Sequence, residues 1–145
     1  MIRLDEGQNE MNATCSRNKT LTGNVCYLFT FKHKLSGEVW RFVPYRIQPT
    51  VNYSPGYDLF SVKIDLNNPE TYLTGATTTG QTNLHLLEGE YYVKAFEQSA
   101  SLSGNTNPSS AYDVVYETIG IVSYSANTAP ITYSGTTDVF KIYEG

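Results

Sequence analysis

From Val25 to Phe31 the chain reads VCYLFTF, with Val25, Tyr27, Phe29 and Phe31 on one parity and Cys26, Leu28 and Thr30 on the other. Extended backbone turns alternate side chains to opposite faces, so this strand carries apolar side chains on both. Such a strand is stable only near the middle of a sheet, with a layer over each face. A single sheet cannot satisfy it, and the fold must supply a second surface.

The same strand runs on into a hairpin. Lys34-Leu35-Ser36-Gly37 joins it to EVWRFVPY, and Gly37 can take the positive φ that a short hairpin loop usually needs. Further along, LFSVKIDL puts Phe60, Val62, Ile64 and Leu66 on one face and Ser61, Lys63 and Asp65 on the other, the pattern of a half-buried strand. Pro44, Pro49 and Pro55 punctuate the stretch between them, which is expected as a crossing loop or irregular edge because proline donates no ladder hydrogen bond. Asn67-Asn68-Pro69 starts a turn, and TGATTTGQTN is a polar loop. Further strands are predicted from Asn83 to Leu87, Glu90 to Gln98, Val114 to Tyr124 and Asp138 to Tyr143. The Ser/Asn/Gly-rich loop from Ser99 to Ala111 is long enough to suggest binding or assembly rather than mere connection.

Composition agrees: 12 Tyr, 6 Phe and 1 Trp among Thr, Ser, Asn and Gly suit strands and turns, and no helix candidate emerges. A length of 145 residues fits one domain. The expectation is therefore a single all-β domain over residues 1–145, an immunoglobulin-like β-sandwich of about seven to eight antiparallel strands. Residues 1–12 are expected as an extended N-terminal arm. The motif L-x-x-G-x-Y-x-V, at Leu86, Gly89, Tyr91 and Val93, is similar to the turn into strand F of such sandwiches, where a Tyr hydrogen-bonds back to the corner. Val93 stands where antibody domains have a cysteine.

Catalytic chemistry has little to build on. His33 and His85 are the only histidines; His33 is expected solvated in Lys32-His33-Lys34, and His85 on an exposed parity, so no triad forms. Two cysteines eleven residues apart with two distant histidines do not make a zinc site, and Cys15 and Cys26 read as small buried thiols, although a hairpin could also bring them together. Glu97 and Glu117 are the best available carboxylate pair for glycoside hydrolysis, but Glu97-Gln98 reads more simply as the place where a strand leaves for solvent. No phosphate-cradling glycine loop occurs, so no cofactor is expected. A net charge of -4 argues against nucleic acid. No apolar run of spanning length or signal peptide appears, which predicts a cytoplasmic chain without membrane association.

Aromatics offer more. On Glu90 to Gln98, Tyr91, Val93 and Ala95 form one set and Tyr92, Lys94 and Phe96 the other. If the first set is core, Tyr92 and Phe96 line an outer face where they can anchor a partner or stack on sugar rings. Trp40 and Phe42 present the same choice on the hairpin's second strand.

The pieces IRLDEGQNE, YLFTFKHKLSGEVWRFV, YDLFSVKIDL, LLEGEYYVKAFEQSAS, YETIGIVSYS and VFKIYEG, in that order along nearly all 145 residues, resemble small virion proteins of tailed phages of Bacteroidetes hosts, including crAss-like phages. The resemblance implies a non-enzymatic structural protein, an auxiliary capsid or head-fibre and anchor protein, ahead of a tail or collar component. It implies a virion location after assembly in the host cytoplasm, with other virion proteins (the major capsid protein or fibre subunits) as partners and a homo-oligomer or symmetric array. Tyr92, Phe96, Trp40 and Tyr143 are the expected partner-binding residues. A carbohydrate-binding adhesion module, with glycans as ligands, is the alternative.

Overall fold

The computed structural model describes residues 1–18, 21, 24–47, 58–72 and 82–124. Nine strands form among them: β1 (Ile2–Asp5), β2 (Gly7–Asn12), β3 (Val25–His33), β4 (Val39–Phe42), β5 (Tyr45–Ile47), β6 (Leu59–Ile64), β7 (Thr82–Leu84), β8 (Gly89–Ser99) and β9 (Asp113–Ser123). The predicted strand Asp138 to Tyr143 lies outside the described residues, as do positions 48–57 and 73–81. The chain is an all-β sandwich. One sheet has the order β1-β9-β8-β3-β4; the other has β2-β6-β5, with β7 paired to the remaining length of β6.

Most pairings are antiparallel, but β1 runs parallel to β9 and β7 parallel to β6. The β1 contact follows from a sheet switch. Residues 2–12, expected as an extended arm, are extended, and their ladder partners are this chain's own strands: β1 edges the five-stranded sheet and β2 edges the other. Asn9 braces the crossover, its amide donating to the carbonyls of Asp5 and Gly7 and its side-chain oxygen accepting from the Asp5 amide.

The inward parities of both sheets meet in one core. Tyr27, Phe29 and Phe31 of β3 lie against Phe42, Phe60, Val62, Ile64, Tyr91 and Val93, all buried. Edge-on ring contacts bridge the layers, with Phe60 5.0 Å from Phe29 and 5.9 Å from Tyr27. Burying each of these rings removes apolar area worth roughly 2–3 kcal/mol from water. The alternation read in LFSVKIDL holds through Ile64 and then fails. Leu66 is 56% exposed, because the Asp65 carboxylate accepts from the Asn67 amide at 2.9 Å and turns the chain.

Below β6 an ion pair ties the smaller sheet together. Arg46 of β5 reaches the buried Asp58 carboxylate at 2.6 Å, while Ser16 N–H donates to its other oxygen at 2.7 Å. The Tyr91 hydroxyl donates to the Leu87 carbonyl at 2.5 Å, as the L-x-x-G-x-Y motif predicts. Tyr124 supports the same corner by donating to the Leu86 carbonyl.

His33 departs from expectation, being only 5% exposed. Its Nε2 donates to the Glu88 carbonyl at 3.1 Å and its Nδ1 accepts from the Ser36 amide at 3.1 Å, which locks the hairpin end to the turn before β8. Sequence alone placed it in a basic run; one of its partners, Glu88, comes from 55 residues away. The two cysteines are free thiols on opposite faces of β3, Cys15 in the main core and Cys26 in a smaller cluster, so they do not pair. Burial pushes both thiols up, Cys15 the further of the two, with the Asp58 carboxylate adding to the effect there.

Gly89 and Gly37 both have positive φ, +133° and +78°. A Cβ on Gly89 would stand 2.8 Å from His33 Nε2, whereas one on Gly37 would meet nothing within 4 Å. Gly89→Ala should therefore combine backbone strain with a clash against a buried ring and cost roughly 2–3 kcal/mol, and Gly37→Ala only strain, about 1 kcal/mol. Denaturant midpoints at unchanged slope check the ranking.

Candidate functional site

Along β3, the outward residues change character halfway. Cys26 and Leu28 are apolar and buried; Thr30 is half-buried and Lys32 exposed. The first half is covered. Cys26, Leu28 and Val43 form a small cluster with Phe96 packed against it, and the loop after β8 folds back over this end. Gln98 holds that loop: its amide donates to the carbonyls of Leu102 at 3.0 Å and Asn105 at 3.3 Å, and its oxygen accepts from Asn105 Nδ2 at 2.9 Å. Ala100 N–H adds a bond to the Asn24 carbonyl.

This corrects the expectation for Glu97-Gln98. The strand does not leave for solvent there; it continues to Ser99, and both side chains are fully buried. They point to opposite faces. Gln98 lies under the loop, while both Glu97 carboxylate oxygens accept from the Leu21 amide at 3.2 Å. Buried polar groups of this kind are tolerated when paired; the partners of Gln98 come from the loop just after its strand and that of Glu97 from a distant one. Glu117 is exposed on β9, in register with Lys94 rather than with Glu97, whose partner is Asp113. The two carboxylates proposed for hydrolysis are thus apart, one enclosed and one in solvent.

Where the cover ends, the sheet face opens into a groove of about 320 Å³ lined by Thr30, Lys32, Val39, Arg41, Tyr92, Lys94, Phe96 and Pro108. Strand register explains the grouping. Arg41, Thr30 and Lys94 form one row across β4, β3 and β8, and Val39, Lys32 and Tyr92 form the next. Tyr92 is 55% exposed, with Lys34 Nζ 4.9 Å from its ring centroid and held there by an ion pair to Glu90 at 3.0 Å. Phe96 is half-buried and does double duty, packing on Leu28 beneath and lining the groove above. Among the described residues three cations line this groove and no carboxylate does. Among the described residues, Lys32, Arg41 and Lys94 form no ion pair.

Around the edge strand β4 lies a second hollow of about 270 Å³, lined by Val39, Trp40, Arg41, Tyr72 and Thr106. Trp40 faces inward, 6.0 Å from the Tyr91 ring, and its indole N–H donates to Glu70 at 3.1 Å. Glu70 also accepts from the Tyr72 hydroxyl at 2.5 Å and the His85 amide at 2.7 Å. His85, expected exposed, is half-buried and donates from Nε2 to the Asn68 carbonyl at 2.6 Å. Burial by itself pushes the Glu70 carboxyl up, but the donors from Tyr72, His85 and Trp40 outweigh it and hold the group below its ordinary value. The same bond pushes the Tyr72 hydroxyl up to about 12.

Of the four residues expected to bind a partner, Tyr92 and Phe96 line the groove and Trp40 lines the adjoining hollow; Tyr143 lies outside the described residues. Lys32, Arg41 and Glu70 were not singled out from sequence. Lys32 was within reach, since it shares a parity with Leu28, but Arg41 and Glu70 join the site only through register and a turn. Among the described residues no group of three or more His, Cys, Asp or Glu side chains is arranged to hold a metal ion, and no helix is long and apolar enough to cross a membrane. Compared with protein-family models, with curated proteins and with solved structures, the chain matches none.

Two predictions follow from these contacts. Because the folded protein holds Glu70 more acidic than the unfolded chain does, its stabilising contribution is complete above the ordinary glutamate value of about 4.3 and is lost as pH falls through the lowered one. Trp40, the only tryptophan, should report this as a shift in emission below about pH 4.3, and Glu70→Gln should abolish it. Gln98→Ala should cost roughly 1–3 kcal/mol by removing the three hydrogen bonds that hold the loop, and limited proteolysis should cut between residues 99 and 112 faster than in the unaltered protein.

Proposed function

We propose that the chain is a non-enzymatic structural protein of a phage particle, an auxiliary capsid or head-fibre and anchor protein that docks on neighbouring virion subunits. The ordered resemblance of six segments across the sequence is the ground for the particle. The observation that carries docking is the exposed Tyr92 in a groove with Lys32, Arg41 and Lys94. Large aromatics with one accessible side are favoured anchors in protein interfaces, and cations around them direct encounter and orientation.

An immunoglobulin-like form of the sandwich is supported by its strand order. β3, β8 and β9 stand in the places of strands C, F and G, β4 in that of C′, and β2, β6 and β5 in those of B, E and D. The Tyr91 corner on β8 falls where strand F carries it. Folds of this kind serve many purposes, so the functional reading rests on the face and not on the architecture.

Tyr92→Ser removes the anchor without touching the core, because the side chain packs on no buried cluster. Its unfolding midpoint should match that of the unaltered protein, while its copy number in purified particles should fall severalfold. Phe96→Ser should instead lower stability by about 2–4 kcal/mol, since the ring also covers Leu28. Unchanged incorporation of Tyr92→Ser removes this face from docking, and absence of the protein from purified virions by mass spectrometry removes the particle reading itself.

A further inference from the structure

The geometry points to an extended acidic peptide segment, supplied by a partner protein, as the occupant of the groove on the five-stranded sheet. This rests on the docking reading for the existence of a protein partner and adds the partner's chemistry. The protein as a whole is acidic, with a formal charge of -4, yet among the described residues the groove lining holds Lys32, Arg41 and Lys94 and no carboxylate. A partner that brings carboxylates gains charge complementarity there; a neutral or basic one does not.

Spacing narrows the class. Neighbouring strands lie about 4.8 Å apart, so the backbones of Arg41 and Lys94, in one row with Thr30 between them, are roughly 10 Å apart. Lys32 sits in the next row, about 6.7 Å along β3, the distance between alternate residues of any extended chain. An extended segment with carboxylates at i and i+2 therefore meets one row with each. Its remaining side chains fall against Tyr92 and Val39 at one end or Phe96 and Pro108 at the other.

The mode is side-chain recognition, because the groove lies over paired strands whose ladder bonds are already made. That distinguishes it from strand addition at an edge. The positive field is also short. Beyond Lys94 its row ends in Glu117 on β9, and Lys34 at the rim is neutralised by Glu90. A long polyanion would meet these carboxylates, whereas a segment of a few residues fits between them. Free charges at an open surface act strongly only over about a Debye length, so binding must weaken with salt.

The test is fluorescence anisotropy with a labelled eight-residue peptide alternating aspartate and alanine, at low ionic strength. Compared with it are the same peptide bearing asparagine for aspartate, an oligothymidylate and an oligogalacturonate. The acidic peptide should bind, salt should weaken it, and the Arg41→Ala/Lys94→Ala double variant should lose roughly five- to tenfold in affinity. Lys63→Ala, on the opposite sheet, should bind as the unaltered protein does, and unchanged Trp40 emission verifies that each variant is folded. Equal binding of the asparagine peptide, or an unaffected double variant, overturns the proposal. Tighter binding of the oligothymidylate or the oligogalacturonate overturns it too, by assigning the groove to nucleic acid or acidic glycan. Peptide binding by a protein that purified particles lack would leave the groove's assignment standing and end the virion reading; particle-borne protein that ignores the peptide would do the reverse.

Discussion

Everything in this sandwich is arranged around a strand that must be covered on both faces. β3 sends Tyr27, Phe29 and Phe31 into the main core and Cys26 and Leu28 out of the other side. The first set is satisfied by the second sheet through the ring of Phe60, with Phe42 stacked beside Phe29 within its own sheet. Among the described residues the second set meets no third sheet, and a loop does that work. Gln98, on the adjacent strand and the same outward parity, anchors the loop with three hydrogen bonds to residues 102 and 105.

The position of the groove follows from how far that cover needs to reach. Leu28 requires it and Thr30 does not, so the loop stops near Pro108, and the face beyond carries Lys32, Lys94 and Tyr92 to solvent. Core and site are thus two halves of one strand's outer face. Phe96 stands on the boundary between them, packing on the buried cluster on one side and lining the groove on the other, whereas Tyr92 lines the groove only. Protein interfaces commonly join an aromatic anchor to a charged surround, and here Tyr92, Lys32 and Lys94 sit on strands paired on both sides, with Arg41 on the edge strand beside them.

Buried and half-buried polar groups hold the ends of the layers. Asp58 with Arg46, Glu97 with the Leu21 amide, His33 between Ser36 and Glu88, and Glu70 among Trp40, Tyr72 and His85 each join segments far apart in the chain. Residues of these types invite a catalytic interpretation when read alone. In the fold each has structural partners, and burial of a polar side chain is tolerated because those partners are supplied.

Sequence by itself determined the all-β class, the β3 and β4 hairpin with its positive-φ Gly37, the inward parities of β6 and β8, and the bond from Tyr91 to its corner. These depend on period-two alternation and local turn chemistry, which act between near neighbours. The exposure of Tyr92 was legible for the same reason. Only the tertiary structure decided that residues 2–12 pair within the chain's own sheets, that Glu97, Gln98 and His33 are buried, and that Arg41, Lys32 and Lys94 converge. Parity tells which face a side chain takes, but register across strands and the reach of a loop tell what it meets there, and those are set by contacts between residues tens of positions apart.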